Sequence, residues 1–126
     1  IYSGNPNFNT GKVSISTRFD CQFSYFKLSN KDTQVLSHEQ LHFDISEIYA
    51  RKFRKRISEE IHGYRDFISK HQTIFSEVYK ELSLKQDEYD SEVYINPPMQ
   101  GKWKAWVFNE LDLLRDYTTT SIVLKK

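Results

Sequence analysis

Between Thr33 and Ile61 the apolar residues Leu41, Ile45, Ile48, Tyr49, Phe53, Ile57 and Ile61 recur with the period of an α-helix. Such spacing gathers them into one stripe, and a stripe of this length demands a second apolar surface to cover it. The first strong breaker is Gly63, after which Phe67, Ile68, Ile74, Phe75, Val78, Tyr79, Leu82 and, less regularly, Tyr89 carry a second helical pattern. The arrangement predicts a helical hairpin whose second helix runs back along the first. Asn96-Pro97-Pro98 must end that return, because neither proline donates a backbone hydrogen bond and the residue before a proline avoids the α region. A third helix is expected after Gly101, with Trp103, Trp106, Val107, Leu111 and Leu114 on its docking face and both tryptophans in the core.

The flanks follow another period. Residues through about Thr10, with Gly4, Pro6 and several Asn, read as loop. Val13, Ile15, Thr17, Phe19, Cys21 and Phe23 then alternate with polar residues, which predicts one strand, or two bent near Asp20, with one face buried. Ser29-Asn30-Lys31-Asp32 is a loop that offers Asp32 as N-cap to the first helix. The end, Thr118 to Leu124, is β-prone and reads as a terminal strand or a tail. Together these elements predict an α+β fold over a single domain, 1–126: N-terminal antiparallel strands packed on a long helical hairpin, plus a C-terminal helix.

A chain of 126 residues supports one core. Its net charge of +1 provides no global basic field for nucleic acid. The cluster Arg51, Lys52, Arg54, Lys55 and Arg56 is followed by Glu59 and Glu60 and reads as a solvated helix face. No apolar run approaches the length of a membrane span, and the opening residues lack an export-signal pattern, although a chain that begins at Ile1 implies a start removed upstream. Cys21 is alone, which excludes an intrachain disulfide and suits a small buried hydrophobe.

Inside the first helix, His38-Glu39-Gln40-Leu41-His42 has HExxH spacing. Residues four apart share a helix face, so both imidazoles can meet one metal ion while Glu39 addresses its open side. Zinc held in this way lowers the pKa of a bound water toward neutrality, and Glu39 can take the proton as general base and return it as proton donor. The spacing therefore predicts metal-assisted hydrolysis of peptide bonds. From His42 to Gly63 the chain climbs about 30 Å, so an antiparallel return regains the level of the histidines roughly twenty residues after the turn. That lands on Lys85 to Glu92, where Asp87, Glu88, Asp90 and Glu92 can supply a further ligand. His62 and His71 fall at the far end of the hairpin and read as surface residues.

The run from Val35 to Lys52, HExxH included, resembles the signature of a bacterial family, domain of unknown function 922, whose members are described as predicted secreted zinc-dependent proteases. Tyr89-Asp90-Ser91-Glu92 is similar to that family's YDxE segment, Trp103 answers a Trp a little beyond it, and Arg18-Phe19-Asp20 fits the upstream layout. The resemblance implies a zincin-like fold, Zn2+ as cofactor, a peptide or protein substrate, and a secreted, periplasmic or cell-envelope location. It departs in one respect: many members carry a His shortly after YDxE, whereas Val93, Tyr94, Ile95 and Asn96 offer none. Catalytic zinc keeps three protein ligands, so the third stays open here, with Glu92 the first candidate, Asp90 the alternative and Tyr94 the weaker one. An oxyanion or substrate contact would come from Tyr94, Tyr89 or a histidine. The metzincin extension is absent, because Ile45 and Ile48 stand where its Gly and third His would fall. A chain without an effective third ligand would instead be a noncatalytic zincin-fold binding or scaffold protein.

Overall fold

The computed structural model describes residues 12–15 and 33–123. Among these, three helices carry the architecture: α1 (Thr33–Glu60), α2 (Gly63–Ile95) and α3 (Met99–Leu113), followed by a 3-10 turn at Arg115–Tyr117. The stripe on α1 is the core, with Leu41, Ile45, Ile48, Tyr49, Phe53, Ile57 and Ile61 all buried. Against it α2 sets Phe67, Ile74, Val78, Leu82 and Tyr89, and α3 adds Trp103 and Val107. Cross-contacts show the antiparallel course, since Arg56 meets Glu77, His42 meets Gln86 and His38 meets Asp90. Each step back along α1 is a step forward along α2.

Both reversals are set by local chemistry. Gly63 has φ 83°, a left-handed conformation in which a side chain would be strained. The His62 amide donates to the Asp66 carboxylate at 2.8 Å, satisfying a donor that the start of α2 would otherwise leave orphaned. That bond, and then Lys70, hold the Asp66 carboxyl below its ordinary range. At the other end, α3 begins at Met99, earlier than the expected start after Gly101. Pro98, at φ −59°, is already shaped for a helix start, so the prolines that stop α2 also launch α3. The amides of Met99, Gln100 and Gly101 donate to the carbonyls of Asn96, Pro97 and Pro98.

The fold is all-α, which overturns the α+β, zincin-like expectation with its strand layer. Among the described residues extended structure is confined to β1 (Lys12–Ser14), which pairs antiparallel with β2 (Ser121–Val123), Val13 lying opposite Ile122. A two-stranded ladder of three residues cannot form a layer, and the helices supply one another with the apolar surface a sheet would have provided. The rest of the expected strand, Cys21 and the Asp32 cap lie outside the described residues. Ile15, just after β1, is buried in the core cluster.

Arg54 ties this ladder to α1. It is 1% exposed, and its guanidinium donates to the Ile15 carbonyl at 3.0 and 2.8 Å, to the Tyr117 carbonyl at 2.9 Å and to Glu47 at 2.8 Å. Glu47 also accepts from Arg51 at 2.9 Å, and Arg51 donates to the Leu111 carbonyl at 2.7 Å. The basic cluster is therefore no simple solvated face: two of its arginines fasten the C-terminal segments to α1. No helix of the described residues is long and apolar enough to cross a membrane.

Candidate metal centre

Two facing helix turns build the site. On α1, His38 and His42 lie four residues apart, and on α2, Gln86, Tyr89 and Asp90 fall within one turn at the matching level. Asp90 Oδ1 meets His38 Nε2 at 2.8 Å and His42 Nε2 at 2.6 Å. One donor atom from each residue lies within 4.8 Å of the others. Two imidazole nitrogens and one carboxylate oxygen, converging from two packed helices, form a donor set of the kind that could hold a metal ion. The imidazole rings meet edge to face, at 4.9 Å and 80°, so each addresses the shared point from its own direction.

A surrounding layer holds these groups. Gln86 places its side-chain nitrogen 2.9 Å from the His42 carbonyl and 3.1 Å from Ser46 Oγ, while its Oε1 faces His42 Nδ1. Tyr89 is fully buried, stacked on His38 at 4.6 Å and edge-on to both His42 and Trp103. Its hydroxyl lies 3.1 Å from the His38 carbonyl and 2.8 Å from Gln100 Oε1, two acceptors that share its single proton. Burial pushes the Tyr89 phenol up to about 12, with the nearby charges of Asp90, Glu39 and Asp44 acting in the same direction.

The residues expected from sequence separate here. Asp90 joins the histidines, whereas Glu92 is turned away: its Oε2 accepts from Trp103 Nε1 at 3.1 Å, on the α3 side. Two residues advance a helix by about 200°, so Asp90 and Glu92 cannot share a face. Glu88 pairs with Lys85 and Asp87 is exposed. Tyr94 is 89% exposed and, with His38, Asp90, Ser91 and Val93, lines an open depression of about 520 Å³ beside the histidines. The Tyr89 hydroxyl is committed to backbone and amide partners, which removes it as an oxyanion donor. Glu39 is half-buried on the same turn as His38. His62 is exposed and His71 is stacked on Phe67, both far along the hairpin from His38. The apolar pattern gives Gln86 no role and Tyr89 chiefly a packing one; the signal for both is the position of Gln86, three residues before Tyr89 and four before Asp90, which sets it on the helix face they border.

Compared with known proteins, the chain matches no family, no curated protein and no solved structure.

Proposed function

We propose that the chain binds zinc through His38, His42 and Asp90 and hydrolyses peptide bonds, with Glu39 moving the proton. The observation that carries this reading is the convergence of three donor atoms within 4.8 Å, from two packed helices. When bound, zinc supplies a water that ionises near neutral pH and a Lewis acid for the scissile carbonyl. The chain's own residues do the rest. Glu39 serves as general base and hands the proton to the leaving amine. The depression between His38 and Tyr94 receives the substrate backbone, and the exposed phenol of Tyr94 stands where it can contact it. Tyr89 and Gln86 hold the ligands from behind. The family resemblance supports the same chemistry and, with it, a secreted or envelope location.

One observation favours a second reading. Each imidazole Nε2 already has Asp90 as its partner, so the three side chains make a complete clamp between α1 and α2 without an ion. On that reading the protein is a noncatalytic scaffold. Elemental analysis after zinc exposure and dialysis separates the two: the metallopeptidase retains about one zinc per chain. Glu39→Gln is expected to keep that zinc and to lose peptide hydrolysis by about 10²- to 10⁴-fold. Cleavage by Glu39→Gln at the parent rate sinks the mechanism, and a dialysed parent without zinc leaves the scaffold.

A further inference from the structure

Gln86 lies one turn before Asp90 on α2 and reaches across to α1. Its side-chain nitrogen is 2.9 Å from the His42 backbone carbonyl, an atom that only accepts, so this end of the amide must be the NH2. The opposite end, Oε1, is then an acceptor facing His42 Nδ1. An acceptor there calls for a proton on Nδ1, and a neutral imidazole protonated at Nδ1 carries its lone pair on Nε2. Nε2 is the His42 atom that belongs to the donor group; without an ion it donates to Asp90 Oδ1, and an ion between the two would take the place of that proton on the Nε2 lone pair. The third contact of Gln86, to Ser46 Oγ at 3.1 Å, does not bear on this direction, because a hydroxyl both donates and accepts.

We infer that Gln86 is the positioning residue of the metal centre: anchored on the His42 carbonyl, it fixes the His42 tautomer that leaves the Nε2 lone pair for the ion. The inference rests on the zinc reading above. It gives the two ligands different supports, since His38 is held by the ring and hydroxyl of Tyr89 instead.

The test is zinc affinity by competition with a chromophoric chelator, for the parent and for Gln86→Met, Gln86→Leu, Gln86→Glu, Ser46→Ala and His42→Ala, each checked for helix content. Gln86→Met and Gln86→Leu remove the acceptor and are expected to weaken zinc binding about 10- to 100-fold. Gln86→Glu keeps an acceptor for Nδ1 but gives up the donor anchored on the His42 carbonyl, so it should fall between the apolar variants and the parent, whereas Ser46→Ala leaves that anchor and should stay within about threefold of the parent. In the zinc-loaded parent a slowly exchanging proton should be found on His42 Nδ1 by nitrogen-proton resonance, and that slow exchange should be lost in Gln86→Leu. Parent-like affinity in the apolar variants overturns the inference and leaves the zinc reading intact. A parent that binds zinc no better than His42→Ala overturns the zinc reading, and this inference with it.

Discussion

Tyr89 holds His38 twice, with its ring stacked on the imidazole at 4.6 Å and 17° and its hydroxyl on the same residue's carbonyl at 3.1 Å. The two contacts are separable. Tyr89→Phe keeps the stack and removes one hydroxyl, for an expected loss of about 1 kcal/mol. Tyr89→Ala also removes the ring from a fully buried position and should cost about 3–5 kcal/mol while loosening His38. Urea denaturation of both variants reads the difference, and equal losses would mean that the stack contributes nothing.

The same phenol makes stability depend on alkaline pH. Burial pushes Tyr89 up to about 12, with Asp90, Glu39 and Asp44 reinforcing the shift. An unfolded tyrosine ionises near 10, so in the interval above that value the unfolded chain binds fewer protons than the folded one, and stability falls as pH rises. The contribution is whole below about pH 10 and is lost progressively toward pH 12. In zinc-free protein, the urea midpoint should fall further between about pH 9 and about pH 11 for the parent than for Tyr89→Phe, since all other titrating groups are common to both. Identical falls would contradict the assignment.

The hairpin was legible because apolar period, the glycine at its turn and the paired prolines all point to the same elements, and the core residues of α1 are those of the stripe. Other features were hidden by rules that are right locally. Alternation from Val13 onward is a strand pattern, yet within the described residues its partner β2 is only three residues long, so no layer forms. Arg54 looked like one member of a charge run, although Ala50, Arg54, Ile57 and Ile61 are spaced as a core stripe and all four are buried. At the candidate metal centre, helix rise gives the level of α2 that faces the histidines but carries no rotational information. Choosing between Asp90 and Glu92 required the facing turn, and Gln86, four residues before Asp90, would have indicated it.

Separate variants test that choice. Asp90→Ala removes a donor atom from the group and should weaken zinc binding by about a hundredfold or more, at least the upper end of the cost of losing a supporting residue. Glu92→Ala should leave zinc affinity within about threefold, because its carboxylate faces Trp103 rather than the histidines. It should instead loosen α3 by about 1–3 kcal/mol, since the indole N–H loses a charged acceptor. The reverse pattern, zinc lost with Glu92 and kept without Asp90, would restore the ligand first expected.

Arg54 should be the most costly charge to remove. Its guanidinium serves two backbone carbonyls and Glu47 at once, from a position 1% exposed, so Arg54→Met leaves the Ile15 and Tyr117 carbonyls without this donor and weakens the neutralisation of Glu47. Breaking a buried pair from one side costs about 3–5 kcal/mol. Arg54→Lys keeps the charge but not the planar fork that spans three acceptors, and should fall between Arg54→Met and the parent. Lys55→Met, at the exposed neighbouring position, should stay within about 0.5 kcal/mol. Because Arg54 lies about 18 Å along α1 from His42, each variant that remains folded should bind zinc as the parent does. Urea titrations in parallel with zinc competition decide the matter: a small loss for Arg54→Met would mean that the ladder and the 3-10 turn are held to α1 by apolar packing alone.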